Sequence, residues 1–206
     1  MKDKICIITG ANSGIGKETA KTLAMQGAHV VMVCRNAALG KEAQEEIKKL
    51  SGNNNIDLLI CDLSSLQEIK KLADNIIKSY PQVDVLINNA GGISMKKKLS
   101  RDGLEMTFAV NYLAVFYLTK LLIPALSAAP QGRVISISSE LESRGTIDWD
   151  DLQFEKRPYN LLAAYGASKL MVIIFTKELA KKAVKYAHIY LCRTPGRGSH
   201  QSWCQG

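Results

Sequence analysis

The 206-residue sequence contains no Cys-x-x-Cys pair, no histidines at metal-ligand spacing, no internal repeat and no low-complexity linker. The first two absences argue against a zinc site or a redox dithiol. Cys6, Cys34, Cys61 and Cys192 lie in or at the ends of apolar runs, with Cys204 near the end, which suits reduced and buried thiols. His29, His188 and His200 stand far apart and read as structural or exposed, so no metal is expected. The opening Met-Lys-Asp-Lys passes straight into a strand-like run, with no apolar stretch of signal or membrane-span length. A cytoplasmic protein without an integral membrane segment is the expectation. Basic residues outnumber acidic ones by 27 to 19, a net charge of +8. They are scattered over helix faces except at Lys96-Lys97-Lys98, and no aromatic residues interleave with that run, so no nucleic-acid partner is expected.

What is present is a globular composition, 47% hydrophobic and 22% charged, enough for one domain. Residues 1–196 form that domain in this reading, and 197–206 an irregular tail. Short apolar runs at Lys4–Thr9, His29–Cys34, Ile56–Cys61, Val83–Asn88, Arg133–Ser138 and Ala187–Cys192 read as strands buried on both faces. Between them lie helical patterns at Gly14–Gln26, Ala37–Leu50, Leu66–Ser79, Gly103–Ala128 and Leu161–Lys185. Regular alternation of this kind predicts an α/β fold, a doubly wound parallel sheet. Right-handed crossovers favour the strand order 3-2-1-4-5-6. Connections are short except Glu140–Tyr159, whose length suggests a lid or binding loop.

The first strand leads into Thr9-Gly10-Ala11-Asn12-Ser13-Gly14-Ile15-Gly16 and then a helix. Glycines allow close backbone approach, and a helix N-terminus offers N–H groups and partial positive charge, the requirements of a pyrophosphate site. With its Gly-x-x-x-Gly-x-Gly spacing, this turn resembles the cofactor motif of the short-chain dehydrogenases/reductases, a Rossmann-fold family. Asp62-Leu63 resembles that family's adenine-contacting pair. Asn88-Asn89-Ala90-Gly91 resembles its Asn-Asn-Ala-Gly motif, which implies Asn89 near the adenosine ribose and Asn88 bracing the sheet. At the end of the second strand stand Cys34-Arg35-Asn36 and no acid; a basic residue there accepts the 2′-phosphate, so NADP(H) is favoured over NAD(H).

Tyr165 and Lys169, spaced i, i+4, share a helix face. With Asn111 and the Ser138-Ser139 pair they resemble the family's Asn-Ser-Tyr-Lys tetrad. The resemblance implies Tyr165 as general acid toward a substrate carbonyl or alcohol, and Lys169 as the cation that stabilises the phenolate and holds the nicotinamide ribose. It implies Ser139 as a second donor to the oxygen, with Ser138 as the fallback, and Asn111 as the holder of a water linking Lys169 to solvent. Asp151-Leu152-Gln153 with Glu155-Lys156-Arg157, and Cys34-Arg35, look like the retinol-dehydrogenase-related branch. The two longest helices resemble those of the family's dimer interface, so a homodimer is expected. From Arg193 onward there is no Val, Ile, Leu, Met or Phe. The tail resembles a truncated or frame-shifted end, and the final strand of the family pattern is expected to be missing. Two functions are expected: an NADP(H)-dependent oxidoreductase, or a non-catalytic dinucleotide-binding or interaction protein whose substrate site is lost by C-terminal truncation.

Overall fold

A computed structural model describes residues 1–183 and 188–194, with side chains as far as residue 181. The expectations for the 197–206 tail and for a missing final strand lie outside the described residues.

Six parallel strands, β1 (Ile5–Thr9), β2 (His29–Cys34), β3 (Ile56–Ile60), β4 (Val85–Asn88), β5 (Arg133–Ser139) and β6 (His188–Thr194), pair in the order β3-β2-β1-β4-β5-β6, as the alternation predicts. Side chains of a strand point to alternate faces, and this sheet uses both. Cys6, Ile8, Val30 and Met32 pack under α1 (Gly14–Met25) and α2 (Ala37–Ser51). On the opposite face Ile7, Val31, Leu86 and Val134 meet α3 (Leu66–Ser79) and the long apolar helix that follows β4. Burial on both faces fails at β3, which has one neighbour and leaves Ile60 49% exposed. An edge strand lacks the second neighbour that would cover it.

The predicted Gly103–Ala128 helix is built in pieces. Gly103 has a positive φ and stays in the preceding turn. The helix starts at α4 (Met106–Phe108), widens to a π turn over Ala109–Leu113 and continues as α5 (Ala114–Ala128). Its start is set by Glu105, whose carboxylate accepts the Thr107 and Phe108 N–H groups at 2.8 and 2.7 Å. By length and composition Met106–Ala128 could cross a membrane. In this fold Ala114, Val115, Leu118, Leu122, Ala125 and Leu126 are buried, and α5 packs on the sheet and α3. The last helix, α6 (Leu161–Ala183), packs on β5 and β6 and against the α4–α5 helix.

The strand order reverses between β1 and β4, so their following loops diverge and open a crevice. Thr9 stitches its floor. The Thr9 hydroxyl accepts the Asn89 and Ala90 N–H groups at 3.0 Å each, and the Asn89 side chain donates back to the Thr9 and Gly10 carbonyls at 2.9 and 3.3 Å. Thr9→Val keeps the shape and leaves the Ala90 N–H without its acceptor, while the Asn89 N–H keeps only its 3.1 Å bond to the Ile87 carbonyl. It is expected to cost about 2 kcal/mol in urea denaturation; a variant as stable as the parent would show that the stitch is idle.

Candidate active site

A cleft of about 1090 Å³ runs along the C-terminal ends of the strands. Its lining takes in Gly10, Asn12, Ser13, Ile15, Arg35, Asp62, Leu63, Asn89, Ala90, Gly91, Asn111, Tyr165 and Lys169. Four predicted site residues do not line it: Gly14, Gly16, Asn36 and Ser139. Each has a local role. Gly14 opens α1 at positive φ. A Cβ on Gly16 would collide with the Gly10 carbonyl and the Asn89 side chain, so only glycine allows the turn to close on the β4 loop. Asn36 caps α2 by accepting the Leu39 N–H at 3.0 Å.

The turn fits a pyrophosphate. Asn36 and Ser65 cap α2 and α3 with their side chains, whereas Ser13 gives α1 no side-chain cap, and no acid lies in its first turn. An uncapped helix start facing a cleft leaves N–H groups and positive potential for an anion. Arg35 is exposed at the mouth, just beyond β2. Burial raises the pKa of Asp62, but the Ser64 N–H and hydroxyl and the charges of Arg35 and Arg101 outweigh it and hold the carboxyl below its usual value. Asn88 braces the sheet to α5, donating to the Thr119 hydroxyl at 3.0 Å in a buried pair. The Asn89 amide stitches the two loops while lining the cleft.

At the other end Tyr165 and Lys169 enter the cleft from one face of α6, with the Lys169 Nζ 5.7 Å from the Tyr165 ring centre. Lys169 donates to the Ile137 carbonyl at 2.9 Å. The π turn carries Asn111, whose side chain accepts the Gly92 N–H at 2.9 Å and donates to the Gly92 carbonyl at 2.9 Å and the Ser168 hydroxyl at 3.1 Å. A Cβ on Gly91 would lie 3.1 Å from Asn111 Oδ1 and 3.4 Å from Lys169 Nζ, so the β4 loop, π turn and α6 meet at one point. Ser138 is buried, lines the cleft and donates its hydroxyl to the Lys169 carbonyl at 3.1 Å. Ser139 is half-buried and its hydroxyl accepts the Leu141 N–H at 3.3 Å.

Residues 4–151 match the family model described as short chain dehydrogenase. The chain belongs to the short-chain dehydrogenase family. It is similar to human Retinol dehydrogenase 13, with 42% identity over 179 residues, 87% of this chain and 54% of that protein. Human Retinol dehydrogenase 14 shares 37% over 195 residues, 88% and 58% of the two chains. The chain thus spans about half the length of the curated relatives it matches. Among solved structures, an uncharacterized protein from Mycobacterium paratuberculosis aligns with TM-score 0.84 and 33% identity, over 96% of this chain and 69% of that one. A metagenomic short-chain oxidoreductase in complex with NADP aligns with TM-score 0.77 and 27% identity, over 95% and 83%. Fold and branch agree with the resemblance read from the motifs.

Two features of this dehydrogenase fold escape sequence reasoning. The first is Glu105, which caps α4 and also accepts the Tyr159 hydroxyl at 3.2 Å. An acid just before a helix is the only signal, and it reads equally well as a first-turn residue. The second concerns the Glu140–Tyr159 connection, expected as a lid or binding loop. None of its residues lines the large cleft. Gln153 instead accepts the Glu105 N–H at 2.7 Å, Lys97 donates to the Phe154 carbonyl at 2.8 Å, and Asp151 holds the Glu155 and Lys156 N–H groups. These bonds make it a brace under the start of α4.

Lys169 is 4% exposed, and burial lowers its pKa from 10.5 to about 8. The unfolded chain therefore binds more protons than the folded one between pH 8 and 10.5, and stability attributable to this lysine rises with pH across that window. A shift of this size corresponds to about 3 kcal/mol. Measured against Lys169→Met by urea denaturation without cofactor, the parent should gain up to that amount between pH 8 and 10.5. A difference that stays flat would contradict the buried ammonium.

Proposed function

We propose that this dehydrogenase is an NADP(H)-dependent oxidoreductase that interconverts a carbonyl and an alcohol. One observation carries the reading: Tyr165 and Lys169 enter the same cleft that holds the uncapped phosphate turn and Arg35. The relatives named as retinol dehydrogenases and the neighbour solved with NADP support it. Gly10, Asn12, Ser13 and Ile15 would hold the pyrophosphate, on a turn shaped by Gly14 and Gly16. Arg35, beside Asn36, would pair with the 2′-phosphate by charge-assisted hydrogen bonds. Asp62 and Leu63 would flank the adenine, with Asn89, Ala90 and Gly91 along the riboses and Lys169 on the nicotinamide ribose.

NADPH, when bound, supplies hydride to the carbonyl carbon. Tyr165 gives its proton to the carbonyl oxygen, and the Lys169 ammonium stabilises the phenolate left behind. A lysine that titrates near 8 can hold charge at neutral pH and still pass a proton on. Ser138, not Ser139, lines the cleft, but hydrogen-bond supply favours Ser139 as the second donor. A serine hydroxyl has one hydrogen, Ser138 gives it to the Lys169 carbonyl, and Ser139 uses its oxygen as an acceptor and keeps its hydrogen to give. The Asn111 amide gives both its hydrogens away and accepts one bond on Oδ1, which keeps a second lone pair for the water assigned to this residue. A cytoplasmic homodimer, with exposed Ile123 on α5 and Ile174 on α6 facing the second copy, completes the proposal.

The test compares two variants in NADPH oxidation against aldehydes and ketones. Tyr165→Phe should lower turnover by about 10²–10⁴-fold and leave NADPH affinity unchanged. Lys169→Ala should reduce both. A Tyr165→Phe variant at parental rate would overturn the assignment, and NADPH binding without reduction of any carbonyl would favour a non-catalytic dinucleotide-binding protein.

A further inference from the structure

The segment after β4 forms one wall of the cleft, and its chemistry is amphiphilic. Ile93 and Met95 line it, Met95 at 76% exposure, opposite Met106 and Val110 on the α4–α5 helix. The three lysines of this wall divide their roles. Lys97 donates to the Phe154 carbonyl at 2.8 Å, while Lys96 and Lys98 line the cleft. The wall is held in place: the Met106 N–H donates to the Lys98 carbonyl at 2.9 Å, and the Tyr159 hydroxyl, whose one hydrogen is shared between Glu105 and Ser94, lies 3.2 Å from the Ser94 carbonyl. Its other polar side chains are spent within it, Ser94 on the Lys96 carbonyl and Thr107 with Tyr159. Among the described residues neither Lys96 nor Lys98 forms an ion pair. Among the described residues the one carboxylate in the cleft lining, Asp62, lies beyond β3 and accepts from Ser64.

We propose that the substrate is an apolar carbonyl compound bearing an anionic headgroup, its chain on Ile93, Met95, Met106 and Val110 and its charge on Lys96 and Lys98. This inference rests on the oxidoreductase reading. An ammonium on a flexible stem covers apolar surface with its methylenes and meets an anion at its tip, which suits a fatty chain ending in carboxylate or phosphate. Both lysines are exposed, so the attraction is modest and salt-sensitive.

The full chain is first titrated with NADP⁺ in a calorimeter, then, saturated with it, with octanoate, octyl phosphate and octanamide. Failure to bind NADP⁺ sinks the oxidoreductase reading and this inference together. With NADP⁺ bound, at least one anionic probe should bind about 5-fold to 20-fold more tightly than octanamide at low salt. The ratio should fall toward one in the Lys96→Gln/Lys98→Gln double variant and at high salt, and the tighter of the two anions identifies the headgroup. Equal affinities, no binding of any probe, or a preference that survives the double substitution would overturn the inference and leave the reading of the cofactor site standing.

Discussion

The hydrogen bonds between Thr9 and the Asn89-Ala90 backbone join the ends of β1 and β4, where the chain folds back across the sheet. Two parallel neighbours at a reversal send their loops in opposite directions, and beyond the β1–β4 ladder these bonds hold the two loops together. The hydroxyl of Thr9 holds them from one side and the amide of Asn89 from the other. Gly16 lets the turn close upon them. The phosphate turn, the β4 loop at Gly91 and, through Asn111, the α6 face that carries Lys169 all take their positions from this join.

The buried lysine shows how function and stability oppose each other in the same cleft. Desolvation disfavours the Lys169 ammonium, and the Ile137 carbonyl offsets only part of that cost. A hydrophobic residue would pack there without penalty. The lysine makes sense as a group held ready for a hydroxyl-rich or negatively charged ligand, the condition under which its charge is repaid in contacts.

Much of the fold was legible because parallel strands announce themselves as short apolar runs and the helices between them as amphipathic stretches. Strand order, the strand–turn–helix at Gly10–Gly16 and the shared face of Tyr165 and Lys169 follow from local spacing and a connection rule, whereas Asn111 joins them through the family resemblance. What could not be read depends on distant partners. The exposure of Ile60 depends on which strand lies at the edge, and the late helix start depends on Glu105 meeting Gln153 and Tyr159 about 50 residues away. The π turn at Ala109–Leu113 has no signature in an apolar helix. The length of the Glu140–Tyr159 connection suggests a lid or binding loop, but length alone does not tell a brace from a cover. Ser139 is assigned by resemblance alone; that Ser138 lines the cleft and gives its hydrogen to the Lys169 carbonyl is visible only in the fold.

The proposal stands on the crevice at the β1–β4 reversal being a dinucleotide site in which Arg35 would select a 2′-phosphate. Calorimetric titration of the unmodified chain with NADPH and NADH at one ionic strength tests it directly. The account predicts saturable binding of both at one site per chain, with NADPH at least about 10-fold tighter, the effect of one or two charge-assisted contacts. Equal affinities, or tighter binding of NADH, would contradict it.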